Sequence, residues 1–354
     1  MQLKNLIHHN QHCYRFEYLS FIKSSVNSMS DGVFRKLQLK QNPSVLLYPA
    51  SPLSGQALQG SAELLDNNTI FDSFVDATYI ITMEENGRVN NIRAQLSKYI
   101  PTTNIYIVYN KGFKKCNKKL PEQLTHYDLI DANINIFLHS TKNKYENILI
   151  LEDDFIFDKK ILDRDIIIEI KNFFKENKNK SLCFNLGPII YSVDYNTLFN
   201  SSNNIYKCNM CSNTQAVIFN KNIIKNILLY YYENKYNINN KQWDKFLNKY
   251  DVYFYKYPLS YQKLEDTENR KNWAINSNNK ESLLYKIHNY ILDKHISMFK
   301  LDTNPKYGFH LHYKTVYFFQ YFIHYLIIFI VLSLIVYIIY YFLLKKNLFK
   351  NNNS

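Results

Sequence analysis

Short apolar runs alternate with stretches of helical spacing from about Asp76 onward. TYIITM at 78–83, NIYIVYN at 104–110, NILIL at 147–151, LCFNLG at 182–187, TQAVIFN at 214–220 and VYFYKYP at 252–258 are rich in β-branched and aromatic residues, and each has the length of a strand. Between them, apolar positions recur three or four residues apart, at Val89, Ile92, Leu96 and Tyr99 in one stretch and at Ile166, Ile167, Ile170, Phe173 and Phe174 in another. The stretches from Tyr127 to Tyr145 and from Asn222 to Tyr232 behave alike. This order predicts an α/β domain built on a mixed, mostly parallel sheet flanked by helices. Such a sheet binds ligands beyond the carboxyl ends of its strands, which here means the loops after Met83 and Leu151.

The pattern changes at both ends. Residues 1–74 mix Ser, Gln, Leu and Pro with no sustained period, and are read as an extension without assigned structure ahead of a domain at 75–300. At the other end, YLIIFIVLSLIVYIIYYFLL from Tyr325 to Leu344 has no charge in twenty residues. As a helix it would reach about 30 Å, the thickness of a bilayer's hydrocarbon core. The expectation is one C-terminal transmembrane helix at 316–344, a juxtamembrane linker at 301–315 and a basic, polar tail at 345–354. Tyrosines near both ends of the span suit the two interfaces, but lysines flank it on both sides, so the positive-inside rule does not orient it. The N-terminal stretch MQLKNLIHHNQHCYRF has no apolar core of leader length, which places the bulk of the chain on the cytosolic side as an expectation.

Charge changes this picture little. The net charge of +13 comes from 43 Lys and Arg against 30 Asp and Glu, with the surplus lysines scattered among Asn, Ile and Tyr, all residues with A/T-rich codons. No recognition motif accompanies the charge, so no nucleic acid is expected as a partner. Five cysteines, odd in number and mostly far apart, do not indicate a disulfide scaffold, and the single CNMC at Cys208 and Cys211 supplies only half of a structural zinc site. It is read as a loop thiol pair. His8, His9 and His12 are equally short of partners, and sequons at Asn67, Asn200 and Asn352 arise readily in an Asn-rich chain.

The candidate chemistry lies in NILILEDDFIFD, where Glu152, Asp153 and Asp154 follow an apolar run directly. Carboxylates clustered at a strand end suit a hard divalent cation, Mn²⁺ or Mg²⁺, which shares its ligand shell with phosphates and water. If the chain stays extended, Glu152 and Asp154 share a face and Asp153 turns away. Acids that only cap a helix or line a solvated turn are the alternative. Another is a two-metal site that draws on Asp158, Asp163 and Asp165. After the first strand, EENGRVNNIRAQL offers Gly87 for a tight turn and Arg88 and Arg93 as phosphate donors.

Taken in order, TYIITMEENGR, ILEDDF, TQAVIF, QWDKFL and PLSYQKLEDTENRKNW resemble metal-dependent glycosyltransferases of the GT-A fold, of the lipopolysaccharide-biosynthesis and procollagen-galactosyltransferase type, and most of all those of large DNA viruses. The resemblance spans roughly Asp76 to Trp273. It implies a membrane-anchored enzyme that moves a hexose from a nucleotide sugar, a UDP-hexose, to a hydroxyl of a glycan or protein acceptor, with inversion. Carried over by position, Glu152 and Asp154 hold the metal, and Arg88, Arg93, Asp153 and Gln262 bind the nucleotide sugar. Asp244 is the base, with a helix N-cap as its alternative role, and Gln262, Thr267, Glu268, Asn269 and Trp273 either line the distal end of the site or simply close the domain. One departure is DANINIFLHS, which keeps only His139 and Ser140 of the segment that bacterial members carry ahead of the acids. Loss of activity, with a structural role at the membrane, is the competing expectation.

Overall fold

The computed structural model describes residues 10–19, 69–84, 87–200, 204–234, 238, 243–262, 290 and 294–351. Its centre is a nine-stranded sheet. In chain order the strands are β1 (Tyr14–Leu19), β2 (Ala77–Met83), β3 (Ile105–Asn110), β4 (Asn147–Glu152), β6 (Leu182–Asn185), β7 (Ile189–Val193), β8 (Ile205–Ser212), β9 (Ala216–Asn220) and β10 (Asp251–Tyr255). In space they run β1-β3-β2-β4-β9-β6-β10-β8-β7. A small second sheet pairs β5 (Phe155–Phe157) with β11 (Ser260–Gln262).

The expectation of a mostly parallel sheet is corrected. Only β2 with β3, β2 with β4 and β6 with β10 pair in parallel, and the other neighbours in the large sheet are antiparallel. The physical reason is insertion of reversed strands. β9 runs backward between β4 and β6, β8 does so between β10 and β7, and β1 caps the edge at β3. Each reversal replaces a parallel contact with an antiparallel one, although β2, β3, β4, β6 and β10 still point the same way.

Helices cover both faces of the sheet. α1 (Val89–Leu96) and α3 (Arg164–Glu176) contribute Ile92, Leu96, Ile166, Ile170 and Phe174 to one core, with Leu149 and Leu151 of β4. α2 (Thr125–Lys142), α5 (Lys221–Glu233) and α6 (Trp243–Leu247) pack Ile134, Phe137, Ile227 and Phe246 into the other core, with Ile148 and Ile150. Consecutive β4 residues therefore serve opposite cores, which is why that strand is apolar at every inner position. Asp163 accepts from the Asp165 N–H to cap α3, and Asn220 accepts from the Ile223 N–H to cap α5.

Residues 10–19 belong to this architecture. β1 pairs with β3 from Tyr14 opposite Asn110 to Leu19 opposite Ile105, and a Cys13–Cys116 disulfide ties it to the loop after β3. Cysteine spacing did not indicate that bridge, because the two residues lie 103 positions apart. Cys208 and Cys211 are buried on strand β8 rather than on a loop. A short α4 (Tyr195–Asn200) follows β7, and the last helix, α7 (Pro305–Asn351), starts inside the expected juxtamembrane segment and packs on β7 before it leaves the domain.

Candidate functional site

The acids stand where the sheet opens. β4 ends at Glu152, opposite Ile81 of β2, and Asp153 and Asp154 form the turn into β5. The start of antiparallel β9 lies beside Leu151, so the loop 213–215 reaches the same edge, and the Glu152 N–H donates to the Gln215 carbonyl at 2.9 Å. Gly87, at φ +71°, makes the turn that leads to Arg88 and α1. Gly187 is required by close approach, since a Cβ there would lie 1.8 Å from the Ser260 carbonyl oxygen beside β11.

Each acid has a different partner. Arg88 Nη1 lies 2.6 Å from Asp153 Oδ1 and 3.7 Å from Asp154 Oδ2. Thr82 donates its hydroxyl to Asp153 at 2.9 Å, and Gln262 Nε2 donates to Asp154 Oδ2 at 2.8 Å. The other oxygen of Asp154 is buried with no hydrogen-bond partner. Thr214 donates to Glu152 Oε1 at 3.0 Å, and the Asn213 N–H donates to Asp244 Oδ2 at 3.3 Å. Asp244 thus faces Glu152 from the start of α6, beside a narrow cleft lined by Asn185, Asn213, Thr214 and Asn248.

Electrostatics follow from this crowding. Burial pushes Glu152 up to about 8, and the charges of Asp154, Asp244 and Asp153 add to the effect while the Thr214 hydroxyl opposes it. Burial also raises Asp154 to about 6, opposed chiefly by the Gln262 hydrogen bond and by Arg88. Asp244 is raised by burial as well. Four carboxylates therefore share one region with a single guanidinium among the described residues. Such a group takes up protons near neutral pH unless further positive charge arrives.

The residues present fit a divalent cation in a limited way. Asp154 offers an unsatisfied oxygen, and Glu152, held toward its neutral form by burial, is a carboxyl whose charged form a cation would favour. Among the described residues, however, only His12, Cys13 and Cys116 bring three ligating atoms within 4.8 Å of one another, and two of those are joined in the disulfide. The acids do not form a closed cage. Two carboxylates with open positions suit an ion that completes its shell with phosphate and water.

No family model and no curated protein matches the chain. The site therefore stands on its geometry. Glu152, Asp153, Asp154, Arg88, Gln262 and Asp244 are brought together, although they are spread over more than 150 positions of sequence. Arg88 pairs with Asp153 through Nη1. Arg93, a turn and a half further along α1, has its Nε buried without a hydrogen-bond partner and makes no bond to the acids. Asp244 sits inside the first turn of α6, not at an N-cap.

Other sequence candidates resolve into structural roles. Asp158 caps a short 3-10 turn and pairs with Lys306 at 3.4 Å, and Asp163 caps α3, so neither extends the acid cluster. His139 accepts or donates at 2.8 Å with the Tyr79 hydroxyl and stacks on Phe16, and burial lowers it to about 4. Tyr79 pairs with Ile150, two residues before Glu152, so the imidazole packs further back along the sheet. Thr267, Glu268, Asn269 and Trp273, like His8 and His9, lie outside the described residues. Thr82 and Thr214 escaped the sequence reading. Thr82 offered a signal, a hydroxyl residue at the carboxyl end of the first predicted strand, whereas Thr214 opens its predicted strand and reaches the acids only because β9 runs antiparallel to β4.

Proposed function

We propose that the protein is a membrane-anchored, metal-dependent transferase of the GT-A kind, moving a hexosyl group from a nucleoside-diphosphate sugar, a UDP-hexose, to an acceptor hydroxyl on a glycan or protein. The observation that carries this reading is the buried, unpartnered Asp154 oxygen near a Glu152 that burial and the neighbouring acids push toward its neutral form. Mn²⁺ or Mg²⁺ bound by Glu152 and Asp154 would supply Lewis-acid stabilisation of the diphosphate leaving group. Gln262 holds the Asp154 carboxylate in place through its amide, and Thr214 orients Glu152. Arg88, released from Asp153 or shared with it, offers a guanidinium to a phosphate oxygen. Asp244, raised by burial and held by the Asn213 amide, accepts the acceptor hydroxyl proton as its oxygen bonds to the anomeric carbon and the bond to the diphosphate breaks. Direct displacement of this kind inverts the anomeric centre.

The Arg88–Asp153 ion pair favours a second reading, in which the acids are neutralised internally and the domain is a silent scaffold. A donor panel separates the two. The full-length chain in detergent, given UDP-hexoses and Mn²⁺, should release UDP, and Asp244→Asn should cut the rate by at least about a hundredfold, the scale of general-base catalysis. Release of no UDP from any donor by folded protein would favour the scaffold. The Cys13–Cys116 bridge supports an oxidising compartment for the domain, against the cytosolic placement expected from the sequence.

A further inference from the structure

α7 is a single helix with two kinds of environment. Over its first turns one side is fastened to the domain. Lys306 pairs with Asp158, and His312 Nε2 donates to the Ile190 carbonyl at 2.7 Å. Tyr317 donates to the Lys256 carbonyl at 3.1 Å, and Gln320 both donates to the Val193 carbonyl and accepts from its N–H. Tyr321 donates to the Leu198 carbonyl of α4 at 3.3 Å, and His324 meets the Tyr195 hydroxyl and packs 4.2 Å from the Phe199 ring. The other side of the same turns is bare. Phe318 is 65 % exposed, Phe319 55 %, Phe322 54 % and Ile323 52 %.

Length decides where a bilayer would begin. The stretch Pro305–Leu343 qualifies as a candidate span with its most apolar window wholly unburied, which is unlike the core helix of a soluble domain. Residues 325–344 hold no Asp, Glu, Lys, Arg or His, and at 1.5 Å per residue they fill about 30 Å, a whole hydrocarbon core. The exposed Phe318, Phe319, Phe322 and Ile323 therefore fall just outside it, at the headgroup–acyl boundary where the apolar face of an interfacial helix sits. α4 is bonded to those same turns, and its Tyr195 is itself half exposed.

We propose that the folded domain rests directly on the lipid surface, with α4 and the bare face of α7 from Phe318 to Ile323 seated among the headgroups and no slack segment between domain and membrane. The helix also sets a height. Tyr261, next to Gln262 on β11, approaches His310 Nε2 at 3.5 Å, so the acid cluster lies near the level of His310. Fourteen residues of helix separate His310 from His324, about 20 Å.

Depth measurement tests the seating independently of any catalytic result. Nitroxide labels are placed on the full chain in phosphatidylcholine vesicles through Tyr195→Cys, Phe319→Cys, Ile330→Cys and Leu162→Cys, since the native free cysteines are buried. Collision with oxygen against a water-soluble nickel chelate should place Ile330 deep, Tyr195 and Phe319 at headgroup depth, and Leu162 in water. Tyr195 and Phe319 labels as water-accessible as Leu162, with Ile330 deep, would overturn the proposal, and so would an Ile330 label in water.

Discussion

Two polar clusters occupy the same edge of the same sheet and solve the problem of buried charge differently. At the end of β3, Lys118 is fully buried, yet its ammonium donates to the Tyr14 hydroxyl and to Asn110, each at 2.6 Å, and pairs with Asp128. Asp131 lies 3.9 Å from the same nitrogen and accepts from Tyr14 at 2.6 Å and from Asn10 at 2.9 Å. The cation and its carboxylates satisfy one another. At the end of β4, one strand further across the sheet beyond β2, the carboxylates outnumber their cation, one oxygen of Asp154 has no partner, and two acids are driven toward their neutral forms. The first arrangement is closed and structural. The second is open, and an open carboxylate cluster is what a ligand can complete.

The largest effect is expected at the closed cluster. Lys118→Met leaves two buried carboxylates without their cation and should cost about 3 to 5 kcal/mol, read as a lowered urea midpoint. An unchanged midpoint would mean that the closed cluster is not closed. At the open cluster the corresponding change acts in the opposite sense. Glu152 has its folded pKa raised to about 8, so its contribution is fully present below its unfolded value and is lost as pH rises toward 8. Thermal stability should fall by several degrees between pH 5 and pH 8.5, Mn²⁺ should restore it at the upper end, and Glu152→Gln should flatten the profile. A wild-type profile already flat over that range would remove the contrast between the clusters. The smallest effect belongs to Thr214→Val, which deletes a hydrogen bond that favours the charged form of Glu152. It should move the stability loss upward by less than about one pH unit. A shift downward would assign the hydroxyl a different partner.

Much of the candidate site was legible because its signals are local. The run from Ile148 to Leu151 announces a strand buried on both faces, and acids directly after it stand at a strand end wherever that strand pairs. What stayed hidden depends on pairing across the chain. YRFEYL gives no hint that its partner is β3, some ninety residues on, and nothing in AVIFN says that it runs against β4 rather than with it. The pairing of Arg88 with Asp153 depends on a distance that spacing cannot supply, as does the reach of Thr214 to Glu152. The long apolar helix was legible as a candidate membrane span from composition alone. Its seamless docking on the domain was not, because the side chains that fasten it, such as Gln320 and Tyr321, bond to backbone carbonyls of β7 and α4.

On the proposed reading, the open cluster takes a divalent cation together with a nucleoside diphosphate. Titration calorimetry of UDP into the full-length protein tests it most directly, with and without Mn²⁺, alongside Asp154→Ala. Saturable heat is expected only with Mn²⁺, and should be lost in the variant without a change in thermal unfolding. Equal heat in wild type and variant, or none from folded wild type at any Mn²⁺ concentration, would contradict it.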